Sequence, residues 1–387
     1  LSALSDIEFA DRVERLSEFV DRLCSADATI DAVCDDGWPR AMVERGFQMH
    51  ADTWTVTDVV AAFERELEPF GGVEALANTE NAASVLGPDT ISHIWPALPG
   101  AGVTPVLFGY LLGAEQYIRP SSRGQRFARH LVDVWNEVVE EGLEIRESNW
   151  WDVDVVVISG SDETVDEVRE IVRERSTRRT RVTGYGHRVS FALVEDDDTD
   201  LKELAARLAT DVVLWHQQGC FSCRAVLFCG REQRRAAFSE TLADAIASVE
   251  EELDATDVPE AELARRAQAR GTAEFAGRVW GDGVGWTTET DQPWSGGYPS
   301  AHAVTIHPVS GPEALEQAID VPPHHLQGVA MSVPDSARQR WIRAVSRLGV
   351  TRICEPGDLQ CPPAGWHHDG RPNVLDWVRF VDRDSDF

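Results

Sequence analysis

Cys220 follows Gln218-Gly219 where a helical stretch gives way to a β-branched one, a position at which a nucleophile can stand exposed at the edge of a sheet. The useful species there is a thiolate, so local dipoles or donors must lower its pKa. A buried, inert thiol is the commoner fate of an isolated cysteine. Cys220 also opens Cys220-Phe221-Ser222-Cys223, a CxxC with His216 four residues upstream and Cys229 nearby, which offers a redox dithiol or half of a zinc site. A redox CxxC belongs in a small βαβ unit, and structural zinc wants a second pair at similar spacing. Cys354 and Cys361 lie too far apart to supply that pair, so no metal is expected.

Ser159-Gly160-Ser161, ahead of a helical stretch, offers backbone N–H groups and a positive dipole end to a phosphate, as many helix N-termini do. Arg119-Pro120-Ser121 closes the preceding strand with a cation, or simply with a solvated surface arginine. Arg173, Arg175, Arg178, Arg179 and Arg181 form the densest basic patch. It suits a phosphorylated cofactor or the nucleotide end of coenzyme A, and equally a helix C-terminus complemented by cations. Trp366-His367-His368-Asp369-Gly370 carries a His–Asp pair fit for acid/base work, which a turn at Asp369-Gly370 explains more cheaply.

The scaffold follows from periodicity. Residues 7–24 and 59–67 repeat apolar positions at three- and four-residue spacing and predict helices. From residue 90 strands and helices alternate: strand 91–94, an irregular Pro/Gly segment 95–102, helix 103–112, strand 116–119, and helix 125–139 capped by Ser122 or a neighbour. Strand 154–158 and helix 165–175, N-capped by Ser161, form the clearest unit. Strands 188–194, 225–229 and 303–307 and helices 201–215, 239–253 and 260–270 continue the alternation. Repeated strand–turn–helix units predict an α/β fold of two interleaved domains with parallel sheet, and 387 residues are enough for both.

The charge balance narrows the partners. Asp and Glu number 66 against 36 Lys and Arg, a net charge of −30 that repels nucleic acid and anionic membranes over most of the surface. Lys202 is the sole lysine. A GC-rich genome explains arginine in place of lysine but not the acid excess, so a halophilic, salt-rich cytoplasm is expected. No apolar run approaches the ~20 residues that span a bilayer; residues 103–114 come nearest. The odd cysteine count and the absence of a signal pattern at residue 1 point to a reducing, cytoplasmic location.

In order, these pieces resemble the aldehyde dehydrogenase superfamily. The carrying stretches are Arg119-Pro120-Ser121-Ser122, Ile158-Ser159-Gly160-Ser161, Gly184-Tyr185-Gly186-His187 leading to Phe191-Ala192-Leu193-Val194-Glu195-Asp196, and Gln218-Gly219-Cys220 leading to Val226-Leu227-Phe228. The resemblance implies, in turn, the cofactor-ribose strand end, the phosphate turn, the segment before the catalytic domain and the nucleophilic cysteine. Trp215-His216-Gln217-Gln218-Gly219-Cys220, with 348–357 and 368–372, is more closely similar to the acyl-CoA reductase branch typified by LuxC. The likeness runs from residue 90 to the C-terminus.

The implied architecture is an N-terminal helical region (1–85), a Rossmann-type NADP-binding domain (86–205), a catalytic domain (206–350) and a C-terminal segment returning to the core (351–387). The implied function is NADPH-dependent reduction of a long-chain fatty acyl-CoA or acyl-protein to the fatty aldehyde through an acyl group on Cys220. The resemblance places NADPH against Arg119, Ser121, Gly160, Ser161 and Gly184. An acyl-activating synthetase is the implied partner, in a homo- or hetero-oligomer. Gly184 stands where hydrolytic aldehyde dehydrogenases carry a Glu base, Arg119 replaces their ribose-binding Lys, and 95–102 lacks their oxyanion Asn. Lacking a base to activate water, the chain fits thioester reduction better than aldehyde oxidation. An aldehyde dehydrogenase and a non-catalytic acyl-carrying subunit are the alternatives.

Overall fold

The computed structural model describes residues 6–51, 53–76, 83–140, 142–197, 199–258 and 260–382. Residues 1–5, 52 and 77–82 of the expected N-terminal region, 141 and 198 of the cofactor domain, 259 of the catalytic domain and 383–387 of the C-terminal segment lie outside the described residues. The chain divides into two compact units. Unit one comprises Leu1–Trp38, Phe47–His187 and Pro363–Phe387; unit two comprises Pro39–Gly46 and Arg188–Pro362.

Unit one begins with α1 (Asp6–Ser25) and α2 (Asp27–Asp35); α3 (Arg40–Ala51) runs across the division, and α4 (Val56–Leu67) follows. β1 (Ala83–Leu86) pairs antiparallel with the closing strand Arg379–Asp382. Next come β2 (Thr90–Ile94), α5 (Val103–Leu111), β3 (Glu115–Arg119), α6 (Gln125–Val138), β4 (Leu143–Ile145), β5 (Val155–Ser159), α7 (Asp162–Arg175) and β6 (Arg181–Tyr185). Five strands form a wholly parallel sheet in the order β4-β3-β2-β5-β6. The strand order reverses between β2 and β5, and a crevice at the carboxyl ends there is where ligands of open α/β sheets bind. The apolar run 103–114 is α5, buried on nearly every face, and no described helix is long and apolar enough to cross a membrane.

One expected cap differs. Gly124, not Ser122, precedes α6, and no side chain of that turn caps it. The Asp36 carboxylate caps it from α2's C-terminus, accepting from Arg126 N at 3.1 Å and Phe127 N at 3.0 Å. Sequence proximity favoured Ser122; a carboxylate brought in by the tertiary fold matches the helix dipole better.

Unit two carries β7 (Val189–Glu195), α8 (Leu201–Val213), β8 (Cys223–Cys229), α9 (Glu232–Glu252), α10 (Glu260–Ala276), β9 (Val279–Trp280), β10 (Trp286–Glu289) and β11 (Ala303–Pro308). It continues through α11 (Leu315–Ala318), β12 (Leu326–Ser332), α12 (Asp335–Arg347) and β13 (Arg352–Cys354). Its sheet runs β13-β12-β7-β8-β11-β10-β9, antiparallel only at β9–β10. Phe191, Leu193, Leu227, Val329 and Trp341 pack the core of one face. β7 pairs with both β8 and β12, so the division falls at His187/Arg188, whereas the expected boundary of 205 lies inside α8. The expected segment 351–387 is likewise shared, because β13 pairs with β12.

Gly184 lies within β6 opposite Ile158, and a Cβ there would stand 2.5 Å from Val165 Cγ1 of α7. Its missing side chain is the space α7 occupies. Gly184→Ala is therefore expected to destabilise unit one by about 1–3 kcal/mol through overpacking. Urea unfolding checks this as a lower midpoint at unchanged slope.

Candidate active site

The unit-two site begins with how α8 ends. Asp200 caps its start, its carboxylate accepting from Lys202 N and Glu203 N. At the other end the chain does not unwind into an extended link. Trp215, His216 and Gln217 all take left-handed backbone, with φ of 58°, 51° and 59°. That hand costs a residue with a Cβ about 1–2 kcal/mol, so the triplet needs support. The Trp215 side chain is fully buried against Gly46, where any Cβ would lie 2.1 Å from its ring. The buried Gln217 amide donates to Cys223 O at 2.8 Å and Ala303 O at 3.2 Å, tying the turn to the starts of β8 and β11.

This turn delivers Gly219-Cys220-Phe221-Ser222 as a tight turn closed by Ser222 N donating to Gly219 O at 3.1 Å. Cys220 is half-buried and its carbonyl accepts from Ser190 Oγ at 2.8 Å. Ser190 Oγ in turn accepts from Gly328 N at 3.1 Å. The register of β7 shifts against β8 between Ser190 and Ala192, and that of β12 shifts between Leu326 and Val329. Such bulges re-aim side chains beside active sites. The thiol thus sits at the amino ends of the parallel strands, opposite the edge where α/β sheets usually hold ligands.

Two groups flank the turn. Ser222 Oγ accepts from Gln360 Nε2 at 3.0 Å, and Gln360 also donates to Asp211 O at 3.1 Å. The Asp211 carboxylate accepts from Gly357 N at 2.7 Å and Leu359 N at 3.0 Å, clamping that loop on α8. Burial pushes Asp211 up to about 7 against the opposing pull of those N–H donors. Arg224 is the second group. It is buried, its Nε has no hydrogen-bond partner, and its guanidinium lies 5.1 Å from the centre of the Tyr298 ring. Burial lowers its proton affinity, while Tyr298 and Cys220 raise it, so the Cys220 sulfur is within its electrostatic reach. A cation there favours the thiolate.

The CxxC is not a dithiol pair. Cys223 is fully buried, its thiol pushed well above the ordinary range by burial, and all seven cysteines are outside any disulfide. Among the described residues no three His, Cys, Asp or Glu side chains converge as metal ligands would.

In unit one, the turn Ser159-Gly160-Ser161 lies at the carboxyl end of β5, beside the switch point. Ser161 Oγ accepts from Thr164 N at 3.2 Å and is the N-cap of α7. Gly160 has no positive φ, and a Cβ there would make only ordinary contact with Thr164 at 3.4 Å. No internal contact requires a glycine at 160, and its bare backbone leaves room for a pyrophosphate to approach. Asp162 accepts from His187 N at 2.8 Å. Arg119 closes β3 with its guanidinium 5.0 Å from the Trp150 ring centre. Ser121 Oγ is buried without a partner, the orphaned donor expected beside a polar ligand. Arg119, Ser121, Gly160 and Ser161 thus share one sheet edge and fit a dinucleotide. Gly184 sits beneath α7 and offers no open surface, so helix packing accounts for it.

The basic patch has other duties. Arg173 pairs with Glu170, Arg178 with Asp154, and Arg175 covers the Trp151 ring. Arg181 donates to the carbonyls of Trp377 and Val378. Arg173 and Arg175 lie in the last turn of α7 and Arg178 and Arg181 beyond it, ~20 Å from Ser161 at 1.5 Å per residue. In 366–370, Asp369 and Gly370 have φ of 54° and 70°, and the His368 ring stacks on Tyr185 at 3.8 Å. This is the turn reading, with an aromatic stack at the end of β6. Sequence reasoning missed Gln217, Ser190 and Arg224. The only available signal was their closeness to Cys220 or to a strand start.

The architecture and the cysteine turn define an aldehyde dehydrogenase fold. An oxidoreductase from Marinobacter aquaeolei superposes with a TM-score of 0.71 at 14% identity, covering 97% of this chain and 86% of that one. An indole-3-acetaldehyde dehydrogenase of P. syringae, in complex with NAD+, gives 0.69 at 13%, covering 97% and 84%. Within that fold the chain belongs to the family described as Acyl-CoA reductase (LuxC), which matches residues 88–380. A long-chain acyl-protein thioester reductase of Vibrio harveyi is 23% identical over 309 residues, 75% of this chain. The match spans just under two thirds, 63%, of that relative's length.

Asp211 supplies a pH test. Its folded value of about 7 exceeds the ordinary 3.8, so between those values the folded chain holds a proton that the unfolded chain has lost. Its contribution is therefore lost as pH rises through that window and is level above it. The melting temperature of the wild type, relative to Asp211→Asn, should fall between about pH 4 and about pH 7 and run level above that.

Proposed function

We propose that the protein reduces a long-chain fatty acyl thioester to the aldehyde, with Cys220 as the acyl carrier and NADPH as reductant. The observation that carries this reading is the Cys220 turn. Three strained residues, a bulged strand pair and a buried arginine converge on one half-buried thiol. Such strain persists at sites where the surrounding structure over-determines it.

Arg224 favours the thiolate that Cys220 becomes on losing its proton. The thiolate attacks the thioester carbonyl, the new C–S bond forms, and the donor's thiolate leaves with the old one. Backbone N–H groups of the turn, that of Cys220 first, face the charge that develops on the carbonyl oxygen. The nicotinamide supplies the hydride that reduces the acyl group. The thiohemiacetal on Cys220 then expels the aldehyde and restores the thiolate. Arg119, Ser121, Gly160 and Ser161 would hold the dinucleotide at the unit-one sheet edge, with Gly184 setting the height of α7. Absence of a carboxylate at 184 spares the acyl group from hydrolysis. The name of the Vibrio relative favours a protein-bound acyl donor alongside acyl-CoA, and an acyl-activating synthetase as the partner that loads it. The acid-rich surface fits a salt-rich cytoplasm.

NADPH oxidation with a long-chain acyl-CoA, in low and molar KCl, tests the reading. The wild type should form aldehyde, with higher activity in molar salt, and Cys220→Ala should form none while still binding NADPH. Free acid from aldehyde plus NADP would mark an aldehyde dehydrogenase instead; stable acyl-Cys220 with no hydride transfer would mark a carrier subunit. Arg224→Gln should move the midpoint of iodoacetamide alkylation of Cys220 up by about one pH unit or more.

A further inference from the structure

A second polar chain reaches the same turn and has no part in the steps above. Glu250, on α9, is almost fully buried at 1% exposure. Its Oε1 accepts from Gly285 N at 2.6 Å and lies 2.6 Å from His302 Nδ1. A Cβ at Gly283 or Gly285 would stand 3.0 Å from that carboxylate, so bare backbone makes room for it. His302 is wholly buried and itself left-handed, with φ of 57°. Its Nε2 lies 3.4 Å from His216 Nδ1, with the two rings parallel to within 9°. His216 is the central residue of the strained triplet, four residues before Cys220.

With both imidazoles neutral the donor pattern has one solution. A carboxylate only accepts, so His302 carries its proton on Nδ1 and presents the Nε2 lone pair to His216. His216 then donates from Nδ1, which leaves its own Nε2 as a base. Burying an acid–imidazole pair costs stability that apolar residues of similar size would not, and four left-handed residues add to that cost. A purely structural contact gives no return for either.

We infer that Glu250 and His302 are positioning residues that hold His216 as the proton acceptor of the Cys220 thiol. This rests on the acyl-transfer reading above and deepens it. In acylation the Cys220 S–H proton passes to His216 Nε2 and the sulfur bonds the acyl carbon. The C–S bond to the donor breaks, and the departing thiolate takes the proton from His216. Nothing is oxidised, and the proton count closes. The Glu250 carboxylate favours the transient imidazolium.

The test is single-turnover release of CoA from a long-chain acyl-CoA without cofactor, followed against pH, with acyl-Cys220 read by mass spectrometry. His216→Gln should slow acylation by about 10²–10⁴-fold and abolish the limb in the imidazole range. Added imidazole should partly restore His216→Ala. Glu250→Gln, which keeps the side chain's size, should retain the limb but move it to lower pH, because the imidazolium loses its carboxylate; it also serves if the His216 variants do not fold. Arg224→Gln should lower the rate without removing the limb. Wild-type rates and limb in His216→Gln, or an unmoved limb in Glu250→Gln, would overturn the relay alone. No acyl-Cys220 on the wild type would overturn the relay together with the reading beneath it.

Discussion

The left-handed triplet Trp215-His216-Gln217 is the constraint on which unit two turns. Three such residues cost on the order of 3–6 kcal/mol together, comparable to the whole net stability of many domains. They persist because each is held by something different. Trp215 fills the space left by Gly46, Gln217 satisfies carbonyls at the starts of two strands, and His216 meets a buried imidazole. Relaxing the triplet would expose an indole and strand two carbonyls, which together offset the local strain. The tight turn bearing Cys220 inherits its position from that balance.

The same logic explains the location of the thiol. A helix that ended in ordinary extended backbone would carry the chain toward solvent before returning to β8. Three left-handed residues instead fold it back, so that four residues later Cys220 is presented at the amino end of the central strands. Ser190 and Gly328 then fix its carbonyl through strands on either side of the register shift. Ser190 sits where the register shifts, still paired with Cys223, and its hydroxyl serves two backbone groups at once.

Much of the fold was legible because its strands are short runs of β-branched residues between amphipathic helices. β5 with α7 is the clearest case: Val155–Ser159 is buried along its length and Ser161 caps the helix as its position predicts. β4 and β6 were missed for opposite reasons of the same kind. Leu143–Ile145 is too short to show a period, and Arg181–Tyr185 mixes Arg, Thr and Gly into a strand whose burial comes from α7 above it. Motif order singled out Cys220 as the candidate nucleophile. Arg224, His302 and Glu250 were not legible, because a residue's meaning there lies in contacts 35 to 86 positions away, or in a burial that local composition does not reveal. The basic patch misled for the complementary reason. Local density marked it, yet Arg173, Arg175, Arg178 and Arg181 meet carboxylates, a ring and carbonyls at the end of the sheet away from the switch point.

Position 184 joins the chemistry to the fold. The space a side chain would fill there is taken by Val165, one turn into α7, and α7 begins at the Ser159-Gly160-Ser161 turn. A carboxylate at 184 would lift the helix whose N-terminus is the candidate phosphate site. On the resemblance that sets position 184 against the Glu base of hydrolytic aldehyde dehydrogenases, the missing base and the close seating of that helix are one structural choice. Under the proposed chemistry this coupling is useful, because the geometry that brings α7 down onto the sheet also withholds the group that would turn a reductase into a hydrolase. A chain that regained the base would have to rebuild its cofactor edge with it.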